Sequence, residues 1–182
     1  MKENVLYVLK LALILLMITG CVALVLAGVN AITEERIAAI QQEKTQQAIA
    51  KVLEGEPVKL ELSGDTGLVR NAYKSQFGYA VEVAPNGFDG EILMMVGVDM
   101  DGKVTGISII SQTETAGLGA EAAAENAKGT AFRNQFVGLG KGDVVLQKDG
   151  GTLDALTGAT ISSRAVTEGI NAALEFVEKE GA

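Results

Sequence analysis

The chain has 182 residues, 48% of them hydrophobic, with a mean hydropathy of +0.26 and a formal net charge of −8. An acidic balance argues against a nucleic-acid partner, whose phosphates call for clustered Lys and Arg. No His is present and Cys21 is the single cysteine. The chain by itself therefore supplies no disulfide, no Cys- or His-based zinc site, no thiolate-held iron–sulfur cluster and no His-dependent triad. Any redox chemistry has to come from an organic cofactor.

Val5 to Val29 is apolar apart from Lys10, Thr19 and small residues, and no charged residue lies between Lys10 and Glu34. About 20 apolar residues cross a bilayer core, so the segment predicts one transmembrane helix. Lys2 and Lys10 precede the apolar run, and Glu34, Glu35 and Arg36 follow it. The positive-inside rule then places the N-terminus in the cytoplasm and the remainder outside. Ile18-Thr-Gly-Cys21 resembles a lipobox, but the apolar run continues past Cys21 where a secretory h-region would have stopped. A retained anchor is the reading that follows.

Ile32 to Leu53 reads as a juxtamembrane stalk helix. Thr33 is its expected N-cap, Glu34 and Glu35 sit in the first turn, and Ile32 and Ile37 form a hydrophobic staple. Gly55 and Pro57 end it. The pattern then changes to period two. Val58–Leu62, Tyr79–Val83, Glu91–Met100 and Val104–Ile110 read as strands, the last two joined by the hairpin signal Asp101-Gly102. Gly67–Phe77 reads as a short helix or an irregular segment. Ala120–Phe136 reads as a helix interrupted at Gly129, Val144–Lys148 as a strand, and Ser163–Glu178 as a helix with Val166, Ile170, Leu174 and Val177 on one face. The fold class that follows is α+β with antiparallel strands. The expected division is an anchor over 1–30, a stalk over 31–56 and a domain over 57–182.

The most informative stretch is Asp154-Ala-Leu-Thr157-Gly158-Ala159-Thr160-Ile-Ser162-Ser163. A helix N-terminus offers unpaired N–H groups and the positive end of a dipole, which suits a phosphate. Gly158 lets the backbone turn tightly. On the residues alone two readings stand: the hydroxyls cap the helix, or they hold a phosphate.

Asp154-x-x-Thr157-Gly-Ala-Thr160 resembles the flavinylation motif of the FMN-binding domain in the G subunit of the Rnf electron-transport complex. The same domain occurs in the C subunit of the sodium-pumping NADH:quinone oxidoreductase. The resemblance implies FMN joined through its phosphate to Thr160 as a phosphoester, with Asp154, Thr157, Gly158 and Ala159 read by a flavin transferase and Ser162 and Ser163 as supporting hydroxyls. Glu114-Thr115-Ala-Gly117-Leu118-Gly119 is similar to the family's Glu-Thr-x-Gly-Leu-Gly loop beside the flavin. Members often carry Pro where this chain has Ala116, and a His before the Glu that this chain lacks. Gly87-Phe88-Asp89-Gly90 resembles a family turn near the pocket. The resemblance covers the whole chain. Its compact length favours the Rnf protein over the quinone oxidoreductase one.

The function implied is a membrane-anchored flavoprotein relaying electrons between ferredoxin and NAD in an ion-translocating complex, partnered by the other subunits and the lipid bilayer. No independent catalytic site is expected. A component of the sodium-pumping NADH:quinone oxidoreductase and a non-redox membrane-anchored binding module are the alternatives. Met94, Met95 and Met100 read as packing, and Glu121 with Glu125 as a surface pair rather than a metal site.

Overall fold

The computed structural model describes residues 2–62 and 66–181. They fall into two compact units, Met1–Glu43 and Lys44–Ala182. Helix α1 (Lys2–Val52) contributes residues to both. In the first unit its described apolar side chains are exposed, Leu16, Leu24 and Ile32 among them. An 18-residue window of mean hydropathy 2.7 makes it long and apolar enough to cross a membrane. The Thr19 hydroxyl is satisfied within the helix, as hydrocarbon surroundings demand: Oγ1 donates to the Leu15 carbonyl at 2.9 Å. Cys21 lies within the same helix.

The expected cap at Thr33 is not there. The helix passes straight through it, and Thr33 Oγ1 bonds back to the Val29 carbonyl instead. Ile32 and Ile37 are both exposed and form no staple. The side chain of Glu35 lies outside the described residues. Capping residues favour a helix start only where the preceding turn does not already supply the carbonyls.

In the second unit five antiparallel strands form a meander in sequence order: β1 (Val58–Lys59), β2 (Val69–Ser75), β3 (Gly78–Val83), β4 (Leu93–Asp99) and β5 (Val104–Ser111). This is the α+β class that the patterning predicts. Period two sends alternate residues to opposite faces, and both faces are covered. Tyr79, Val81, Val83, Met94, Val96 and Val98 face the main core, completed by helices α2 (Ala127–Asn134) and α3 (Thr160–Gly181). The expected stripe Val166, Ile170, Leu174 and Val177 is buried there. On the other face Ala80, Met95 and Ile110 meet the end of α1 through Ala48, Ile49, Val52 and Leu53. Met94 and Met95 are core residues on opposite faces.

That second contact depends on a missing side chain. A Cβ on Gly97 would lie 2.3 Å from the Val52 carbonyl oxygen and 2.3 Å from Thr105 Oγ1. Thr105 Oγ1 in turn donates to the Val52 carbonyl at 2.8 Å, satisfying the end of α1. Gly97→Ala is expected to destabilise the domain by about 2 kcal/mol through overpacking, read as a lower unfolding temperature of the detergent-solubilised chain.

The Asp101-Gly102 hairpin forms as expected: Gly102 has φ +74, and Asp99 Oδ1 accepts from the Asp101 and Lys103 amides at 2.9 Å each. Elsewhere the structure corrects the pattern. Gly67–Phe77 contains β2, whose period is masked by a bulge between Val69 and Asn71 and by polar cross-strand partners such as Asn71 with Glu82. Ala120–Phe136 is two pieces, a 3-10 helix Gly119–Ala123 and α2, broken at Asn126, which caps α2 by accepting from the Gly129 amide at 2.8 Å. Gly129 does not break the helix. It lets α2 pack closely, since a Cβ there would sit 2.3 Å from the Ala124 carbonyl oxygen. Val144–Lys148 is no strand: a single parallel bridge joins Leu146 to Leu153, and a 3-10 turn, Gln147–Asp149, follows. β1 stops at Lys59, short of the expected Leu62.

Candidate functional site

Helix α3 begins at Thr160, and its first backbone bond runs from the Ser163 amide to the Ala159 carbonyl at 3.0 Å. Ala159 therefore occupies the N-cap position, where an Ala supplies no side-chain acceptor. The hydroxyls nearby are engaged differently. Ser163 Oγ accepts from the Leu156 amide and donates to the Ala159 carbonyl, both at 2.9 Å. Ser162 Oγ donates to Glu114 Oε2. Thr160 Oγ1 accepts from Lys148 Nζ at 2.8 Å. None of these four contacts caps the first-turn amides, which are left to face an anion along with the positive end of the dipole.

Gly158 makes the approach to Thr160 possible. Its φ of +76 closes the turn that ends with the Ala159 amide on the Leu156 carbonyl, and a Cβ there would sit 3.0 Å from Leu118 Cδ2. Leu118 comes from the Glu114–Gly119 loop, turned by Gly117 at φ +77 and by the Leu118 amide on the Thr115 carbonyl at 3.1 Å.

Glu114 ties three segments together. It is buried, it accepts from the Asp89 amide at 2.9 Å through Oε1, and it takes the Ser162 hydroxyl on Oε2. Two glycines leave it room: a Cβ on Gly87 would lie 2.4 Å from Oε1, and one on Gly119 2.5 Å from Oε2. The Gly87–Gly90 turn, the Glu114–Gly119 loop and the start of α3 thus meet on one carboxylate.

Between them lies a cavity of about 390 Å³, lined by Phe88, Glu114, Thr115, Leu118, Gly119, Lys148, Gly158, Ala159, Thr160, Ile161 and Ser162. That volume is within the range of small-molecule sites. Phe88, Leu118 and Ile161 are 68%, 41% and 50% exposed, an apolar rim around a polar floor. An apolar rim suits a planar ring, and the open first turn of α3 with Lys148 suits a phosphate, so the residues present fit a flavin mononucleotide.

Of the residues expected at the site, the structure brings Glu114, Thr115, Leu118, Gly119, Gly158, Ala159, Thr160 and Ser162 together on the cavity wall. The rest do not line it. Ser163 is buried behind it, Gly117 only turns the loop, and Thr157 is exposed. Asp154 is held by its backbone, its amide donating to Gln135 Oε1 at 2.8 Å and its carbonyl accepting from Gln135 Nε2 at 2.9 Å, with the side chain exposed. Phe88, from the Gly87–Gly90 turn, lines the cavity, and Lys148 and Ile161 are additions. Lys148 left no signal in the sequence, since it falls in a stretch that patterns as a strand. The Asp149 carboxyl beside it is held below the usual range, chiefly by its hydrogen bond with Arg164, so this ion pair keeps its charge in mild acid.

Residues 87–175 match the FMN-binding domain family. Over 94% of its length the chain is 31% identical to the G subunit of the ion-translocating oxidoreductase complex of Methanosarcina acetivorans, covering 95% of that protein. The chain belongs to this family of G subunits. It is also 30% identical to the G subunit of the Na(+)-translocating ferredoxin:NAD(+) oxidoreductase complex of Acetobacterium woodii, over 94% of this chain and 92% of that one. It is 35% identical to the proton-translocating counterpart of Clostridium ljungdahlii, over 85% and 83%. The family match encloses the whole cavity lining, from Phe88 to Ser162.

Proposed function

We propose that this family member is a membrane-anchored flavoprotein that relays electrons in an ion-translocating ferredoxin:NAD oxidoreductase complex, through FMN joined by a phosphoester to Thr160. One observation carries the reading: Thr160 opens α3 at an N-terminus that the motif's hydroxyls do not cap, on the wall of the cavity, with Lys148 Nζ 2.8 Å from its hydroxyl oxygen. When bound, FMN supplies one- and two-electron redox chemistry, which lets a relay join one-electron and two-electron carriers.

The chain's own residues do the rest. The first-turn amides of α3 and Lys148 receive the phosphate charge. Glu114 fixes the loop and the helix start on either side of the ring site. Phe88, Leu118 and Ile161 shield the ring from water. The exposed side chains of Asp154 and Thr157 stand on the motif where a flavin transferase would read it. Residues 1–30 anchor the protein with the N-terminus cytoplasmic, 31–56 form the juxtamembrane segment, and 57–182 form the FMN domain on the outer side. A covalent cofactor suits that side, because a group held by mass action alone is lost where its free concentration is low. The other members of the complex deliver and remove electrons.

After co-expression with a flavin transferase, the wild-type chain should run as a fluorescent band on a denaturing gel under ultraviolet light. Thr160→Ala should abolish the band without altering expression. A dark wild-type band, or full fluorescence in Thr160→Ala, sinks the assignment.

A further inference from the structure

Lys148 is the site residue that the sequence motifs leave unexplained. Its side chain is exposed, and ordering an exposed lysine costs side-chain entropy that something must offset. Its segment is tightly built. The Asp149 and Gly151 amides both donate to the Leu146 carbonyl, at 2.8 and 2.9 Å, and Leu146 is buried. A Cβ on Gly151 would lie 2.1 Å from the Val145 carbonyl oxygen, so the turn tolerates no larger residue there. Asp149 then takes a two-pronged grip from Arg164, Nη2 to Oδ1 at 2.6 Å and Nε to Oδ2 at 2.9 Å. Arg164 lies four residues after Thr160 on α3, hence on the same face. The ion pair seats the turn on the helix face that carries Thr160, and Lys148 reaches the hydroxyl from that seat.

We propose that Lys148 is a positioning residue for the covalent attachment of the flavin phosphate to Thr160, and the counter-charge of the phosphodiester once formed. This rests on the Thr160 reading above. Joining a hydroxyl to a phosphate without redox change needs an activated phosphate, so the donor is a flavin dinucleotide diphosphate. The Thr160 Oγ–P bond forms and the bridging P–O bond of the diphosphate breaks. The nucleoside monophosphate leaves, and the hydroxyl proton passes to the transferase or to solvent. Lys148 donates to a lone pair of Oγ1, which turns the hydroxyl proton away from the ammonium. The same ammonium faces the charge that gathers on the phosphate as the bond forms.

The test uses the full chain in detergent with a flavin transferase and flavin adenine dinucleotide. It follows the initial rate of covalent labelling by gel fluorescence and intact mass. Lys148→Gln should label about tenfold more slowly at saturating donor, and Lys148→Arg should stay within about threefold of wild type, since both cations serve a phosphate. Asp149→Asn should fall between the two. In the labelled proteins, the phosphorus resonance should move between wild type and Lys148→Gln, a shift that a merely structural role would not produce. Labelling of Lys148→Gln at the wild-type rate overturns this role and leaves the Thr160 reading standing. A well-folded Lys148→Arg as slow as Lys148→Gln overturns it as well. An unlabelled wild type brings down the Thr160 reading itself.

Discussion

Glu114→Ala is expected to destabilise the domain by about 3 kcal/mol, the cost of removing both hydrogen bonds of a buried side chain and leaving the buried Ser162 hydroxyl without its acceptor. The carboxylate is 7% exposed and serves the Asp89 amide on one oxygen and the Ser162 hydroxyl on the other. Truncation removes the acceptor of both donors at once and opens a void beside Gly87 and Gly119, where a Cβ would meet Oε1 at 2.4 Å and, at Gly119, Ser162 Oγ at 2.3 Å and Oε2 at 2.5 Å. For a domain of this size the loss lowers the unfolding temperature by roughly 10 °C. It can be read by thermal challenge and proteolysis of the detergent-solubilised chain. Glu114→Gln keeps the shape and one carbonyl acceptor, and the Ser162 hydroxyl can rotate to accept from the new amide. It should cost about 1 kcal/mol. Equal losses in the two variants would show that the site is held by packing around this side chain rather than by its two hydrogen bonds.

The second large effect lies outside the cavity. Phe136 is fully buried, and its ring meets Phe132 edge-on with centroids 5.3 Å apart. Phe136→Ala should cost about 4 kcal/mol, the lost transfer energy plus the cavity left behind. The consequence reaches the motif through the neighbouring residue. Gln135 brackets the backbone of Asp154 with two hydrogen bonds. Loosening the end of α2 should therefore speed hydrogen exchange at the Asp154 amide, and slow flavin attachment beyond what the stability loss alone explains. Unchanged exchange at Asp154 in Phe136→Ala would separate the core from the motif.

These two residues mark what the sequence could and could not disclose. Near-continuous apolar runs revealed the inner strands, because β3 and β4 are covered on both faces and their buried positions are almost all apolar. The same reading failed at β2, where Arg70, Asn71 and Lys74 break the pattern with partners elsewhere: Glu91, Glu82 and the ring of Tyr79. It failed in the opposite direction at Val144–Lys148, where buried Val144 and Leu146 imitate a strand but serve a glycine-closed turn. The site motif was legible as a motif because glycine and hydroxyl residues cluster before a helix. The choice between caps and phosphate ligands was not, since that depends on which residue lands at the N-cap, and the structure puts Ala159 there. Lys148 was out of reach altogether. Its link to Thr160 is made by tertiary folding and fixed by a third residue, Arg164, whose charge alone says nothing about a partner.

Thr160, and no other hydroxyl of the motif, is expected to carry the flavin. Trypsin releases residues 149–164 as one peptide, which contains Thr152 and the motif's Thr157, Thr160, Ser162 and Ser163. Fragmentation of that peptide from the chain matured with a flavin transferase measures this most directly. The predicted result is the flavin-phosphate mass increment on Thr160 alone. An increment on Thr152, Thr157, Ser162 or Ser163, or an unmodified peptide from a fully matured chain, would contradict it.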